Sequence, residues 1–183
     1  MTRRMKWAVS AVMLLGIGTG KAWASNSPAN ATITVTPVAN VSLAISPTTY
    51  AYGALVVNTS SITASALTLS NTGQVNVTVA KQITNQSNPA GWTAAVAVTT
   101  DTYVLSVTTA ASQAVAADFT AATQLGALNN STNLTGAAGT QPIVTIPGGA
   151  LPSVALWFKL DMPTVVTSQA QREITVRFTG TAQ

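Results

Sequence analysis

Residues 172–180 read REITVRFTG. Ile174, Val176 and Phe178 recur at every second position, with Thr175, Arg177 and Thr179 between them. Successive side chains of a strand point to opposite faces, so this spacing predicts a strand with the three apolar residues turned to a core. The same rhythm runs through VALWFKLD (154–161), which aligns Val154, Leu156, Phe158 and Leu160. It runs through YVLSV (103–107) by way of Tyr103, Leu105 and Val107, and through WTAAVAV (92–98) by way of Trp92, Ala94, Val96 and Val98. Leu67 and Leu69 share one face of a further strand, and Val75, Val77 and Val79 share one face of the next. If these two strands pair directly, Leu69 must oppose Val77, which requires an odd loop such as Thr72–Gln74; if they lie in different sheets, the parity argument lapses.

Turn signals separate these segments. NQSNPAGW (85–92) reads as a turn, NNSTNLTGAAGTQ (129–141) as a loop, and PIVTIPGG (142–149) as a short strand bounded by Pro and Gly. AVAADFTAATQLGAL (114–128) is ambiguous between strand and short helix. About eight to ten strands without a convincing helix predict an all-β, antiparallel β-sandwich. A transmembrane barrel shares the alternation, but would want aromatic girdles that so few aromatic residues do not supply.

The longest alternating run comes first. Residues 31–45 read ATITVTPVANVSLAI, with every odd position apolar. As one strand it would extend about 50 Å, far beyond the usual five or six residues. Pro37 lacks an amide proton and is tolerated only at edges, bulges or breaks, so it divides the run into ATITVT and VANVSLAI. Either the first half, with Ile33 and Val35, adds to the exposed sheet edge of another copy, or Pro37 marks where one strand crosses between sheets of a single subunit.

Residues 1–24 have the form of a secretory signal peptide: a basic MTRRMK, an apolar WAVSAVMLLGIGTG and a small-x-small AWA before Ser25. The remaining residues, 25–183, form one expected domain, secreted or at the cell surface, with the periplasm a further possibility. The apolar stretch is too short to span a bilayer, so no stable membrane span is expected after cleavage. Arg3, Arg4, Lys6 and Lys21 supply the whole formal charge of +4. The remainder balances Lys81, Lys159, Arg172 and Arg177 against Asp101, Asp118, Asp161 and Glu173. It therefore lacks the basic patch that binding to nucleic acid requires. So sparse a charge suits a surface that packs against copies of itself, other surface proteins or a wall.

The chain contains neither His nor Cys. The usual general base, the commonest metal ligand and the thiol nucleophile are therefore missing, and no enzyme activity and no cofactor are expected. The four carboxylates show no clustered metal-site spacing, and Asp101 and Asp161 are expected at strand ends with Asp118 in a loop. Candidate interaction residues are Ile33 and Val35 in the leading run, the pair Tyr50 and Tyr52, and Trp157. Trp157 falls on the face opposite Leu156 and Phe158, where it either meets a glycan or partner subunit or packs beneath the long loop of residues 126–149.

The segment YAYGALVVNTSSITASALTLSNTGQVNVTV (50–79) carries an aromatic-x-Gly-x-Leu stretch, a spacer, an alternating strand ending in Asn-x-Gly, and another strand. Tyr52, Gly53, Leu55, Leu67, Leu69, Asn71 and Gly73 hold these positions. In this it resembles exported immunoglobulin-like β-sandwiches, among them camelysin-like biofilm fibre subunits and other bacterial and archaeal surface proteins. Its leading strand is similar to that of chaperone–usher pilins. The resemblance implies a structural or adhesive fibre protein, in some members polymerised when one subunit's N-terminal strand completes the next subunit's sheet. A carbohydrate-binding module is the alternative expectation, and it requires Trp157 and a Tyr exposed on one flat face.

Overall fold

The computed structural model describes residues 32–137, 144–150 and 152–183. The expected signal peptide, and Ala31 at the head of the leading run, lie outside the described residues. The chain divides between Pro37 and Val38, so that Thr32–Pro37 belongs to one unit and Val38–Gln183 to the other.

Among the described residues, ten strands build the second unit. They are β1 (Leu43–Ser46), β2 (Ser60–Ile62), β3 (Leu67–Asn71), β4 (Val77–Asn88), β5 (Thr93–Ala94), β6 (Thr102–Thr109), β7 (Thr132–Asn133), β8 (Thr145–Ile146), β9 (Ser153–Asp161) and β10 (Glu173–Ala182). They form two sheets, which makes the all-β sandwich. In the first, β1 pairs with β3, β3 with β9, β9 with β6 and β6 with β5, while β2 continues the line of β3 along β9. Its ladders are antiparallel apart from the short parallel contact of β5 with β6. In the second, β4 lies between β10 on one side and β7 and β8 on the other.

The alternation read from the sequence identifies the faces that meet. Leu67, Leu69, Tyr103, Leu105, Val107, Leu156, Phe158 and Leu160 from the first sheet share one core with Val77, Val79 and Ile83 from the second. β3 and β4 lie in different sheets, so no hairpin register links them. Their connection is instead shaped by Asn71. Its buried side-chain amide donates to Val75 O at 2.8 Å and Pro147 O at 2.9 Å, and its Oδ1 accepts from Gly73 N at 2.9 Å. A β-carbon at Gly73 would collide with the carbonyl of Asn40, so the Asn-x-Gly spacing serves close backbone packing here.

Three expectations are corrected and one ambiguity is resolved. The leading run is not one long strand: only Leu43–Ser46 pairs, and Thr32–Ser42 carries no strand. WTAAVAV leaves the sheet after Ala94, and Val96 is exposed. Within NQSNPAGW, the NQSN portion extends β4 to Asn88, and the turn is confined to Pro89–Gly91. AVAADFTAATQLGAL, ambiguous between strand and short helix, forms two short 3-10 helices, Ala116–Asp118 and Ala121–Thr123. Asp101 and Asp161 stand at strand ends, as expected.

One core position is occupied by a charge. Lys81 follows Val77 and Val79 on the inward face of β4 and is fully buried. Its Nζ donates to the carbonyl of Ala122 at 3.0 Å. Burial pushes its pKa down to about 8, because a low-dielectric surrounding disfavours the ammonium form.

Candidate functional site

Strands need partners on both edges or a device that blunts a free one. Among the described residues β10 pairs with β4 alone. Its burial alternates between exposed and half-buried along all ten residues. Ile174, Val176 and Phe178 point at the core as expected and pack against it, but remain only half-buried. Phe178 meets Phe158 of the facing sheet edge-on, with centroids 6.3 Å apart and planes at 80°.

The strand that faces β10 from the other sheet is short. β1 pairs with β3 over four residues, Leu43 opposite Asn71 through Ser46 opposite Thr68. Leu43 and Ile45 are also only partly buried. At one end the gap between β1 and β10 is narrow: a β-carbon on Gly180 would lie 3.2 Å from Val41 Cγ1 and 3.3 Å from Leu43 Cδ1. Beyond Ser46 β1 no longer accompanies β10, which extends back to Glu173, and Tyr50, Tyr52 and Leu55 of the following segment pack against the core. β10 thus carries a half-buried apolar face and, among the described residues, an edge without a strand partner. Chemically such an edge suits an extended peptide: main-chain groups supply hydrogen bonds, and alternate apolar side chains of the guest add to the apolar face.

The residues singled out from the sequence fall in three places. Ile33 and Val35 are 91% and 87% exposed and lie in the unit that ends at Pro37. Tyr50 and Tyr52 form an edge-to-face pair with centroids 5.0 Å apart, and both pack against the core. Tyr50 Oη accepts from Ala64 N at 2.7 Å. Burial, with smaller contributions from Tyr50 and Asp161, pushes the Tyr52 phenol well above its ordinary pKa. Trp157 is only 7% exposed, and its indole N–H donates to Ala110 O at 3.1 Å. It therefore packs beneath the segment after β6 and offers no flat face to a sugar ring.

No three His, Cys, Asp or Glu side chains gather among the described residues in a way that could hold a metal ion. No described helix is long and apolar enough to cross a membrane.

No family model matches the chain, and no curated protein or solved structure matches it either.

Proposed function

We propose that this chain is an exported structural or adhesive component of a cell-surface or extracellular fibre, and that copies join by strand donation. The segment with Ile33 and Val35 of one copy pairs with the free edge of β10 in the next. The reading is carried by one observation. An apolar strand face, Ile174, Val176 and Phe178, is left half-covered at an unpaired edge, while the same chain holds exposed Ile33 and Val35 at strand spacing.

Covering Ile33 and Val35 gives about 1.5–3 kcal/mol each, before the half-buried apolar face of β10 is counted. Each new backbone hydrogen bond at the edge adds about 1 kcal/mol net. Ordering the donated residues costs about 1–2 kcal/mol apiece in backbone entropy, so the balance depends on how well the apolar side chains seat.

A chain that begins at Val38 tests the proposal. It is expected to fold as a monomer, to form no filaments under electron microscopy, and to bind an added peptide of residues 31–37. Wholesale unfolding of the truncated chain would instead mean that the leading segment belongs to its own subunit's core.

A further inference from the structure

We propose that copies also meet end to end, through an apolar patch at one end of the sandwich that seats the opposite end of the next copy, formed by segments without charged side chains. This contact rests on the strand-donation reading and adds a second interface to it.

The strand registers define the two ends. At one end β1 begins at Leu43 opposite Asn71, β9 begins at Ser153 opposite Ser70, and Val77 lies between Ala182 and Ile146. At the other, Ser60 and Val104 flank Asp161, and Glu173 lies opposite Asn88. The chain enters the sandwich at the first end, where Asn40 O accepts from Gln74 N at 3.0 Å. β10 is approached at that same end by Val41 and Leu43 of its own subunit, beside Gly180. A donated strand paired with the free edge of β10 therefore leaves at the second end to rejoin its own subunit. A strand running antiparallel to β10, as β4 does, leaves there with its C-terminal residue. The seven residues from Thr36 to Ser42 reach at most about 25 Å. They thus hold the first end of the donor against the second end of the acceptor.

The surfaces at the two ends fit this arrangement. Val56, Val57, Val96 and Val165 are between 38% and 70% exposed, and all four lie in loops of the second end. Backbone hydrogen bonds tie these loops together, from Asn58 N to Pro163 O, Thr164 N to Thr99 O and Asp101 N to Val165 O. Val96 lines a depression of about 370 Å³ beside them. The first end presents segments 38–43, 71–77, 145–150 and 181–183, none of which has a charged side chain. Such a surface brings no ionised side chain of its own to the patch, whose neighbours Asp101 and Asp161 already lie at the second end. Because the two ends differ, the contact is heterologous and propagates a line of subunits instead of closing a dimer.

The absence of native cysteine makes a direct test possible. The full exported chain is made with Val57→Cys, and separately with Gln74→Cys at the tip of the first end. The two are then mixed with a short bismaleimide. The expected product is a Val57→Cys/Gln74→Cys heterodimer, formed about tenfold less when Val96→Glu and Val165→Glu are added to the first variant. Filament formation and uptake of the 31–37 peptide are followed in the same samples. Filaments without the heterodimer, or Val57→Cys joined to itself, would overturn the end-to-end contact and leave strand donation intact. The heterodimer without peptide uptake would keep the contact and overturn strand donation. Loss of both would overturn both.

Discussion

β6 and β10 are strands of similar length that end in opposite states. β6 is buried from Tyr103 through Thr108 on both faces. Its inward face holds Tyr103, Leu105 and Val107 in the core. Across its outer side the later chain is fastened by hydrogen bonds: Leu125 N to Leu105 O at 2.8 Å, Thr108 Oγ1 to Thr135 O at 3.3 Å, and the indole of Trp157 to Ala110 O. β10 has one neighbour and no such cover among the described residues. The same alternating chemistry thus produces a finished strand where the chain supplies its own second partner, and an unfinished one where it does not. On this account the unfinished strand is the functional one.

The largest expected effect lies on the finished side. Leu105→Ala should cost about 2–5 kcal/mol, read as a fall in the denaturation midpoint, because the surrounding core cannot collapse into the space. Val176→Ala on β10 should cost the monomer about 1 kcal/mol or less, since its side chain is only partly buried. It should cost more once filaments have formed. Equal losses at the two positions in the monomer would break the comparison.

Lys81 sharpens it by a change of pH. Its folded pKa of about 8 lies below the ordinary lysine value of 10.5, so between these values the unfolded chain binds more protons than the folded one. Stability should therefore rise as pH increases from about 8 to 10.5, with the full penalty present below that window. Lys81→Met should remove this rise and raise stability at pH 7 by about 1–3 kcal/mol, as seen in denaturant midpoints across the pH range. A comparably small effect is expected at Trp157. Trp157→Phe removes one hydrogen bond from the cover of β6 and should cost about 1 kcal/mol by the same measurement.

The faces of the sandwich were legible in the sequence, whereas the edges were not. Alternation at Ile174, Val176 and Phe178 or at Leu156, Phe158 and Leu160 reports which side of a strand is apolar. It does not report how much lies opposite, so the half-burial of β10 and the double burial of β6 read alike. The leading run shows the same gap. Thr32–Ser42 has the rhythm of a strand, yet pairing depends on an edge being available, which local spacing does not encode. Val96 and Val98 continue the period of Trp92 and Ala94 after the chain has left the sheet, and the exposed patch to which Val96 belongs was hidden by that continuity. Lys81 was legible in principle, because it is in phase with Val77, Val79 and Ile83. Trp157 needed the fold of residues 110–125 before its cover could be seen.

Amide hydrogen exchange on the chain, kept dilute enough to remain monomeric, tests the open edge most directly. β10 amides should exchange faster than those of β6 and slow markedly when the peptide of residues 31–37 is added, while β6 is unchanged. A β10 already as protected as β6, and indifferent to the peptide, would contradict the account.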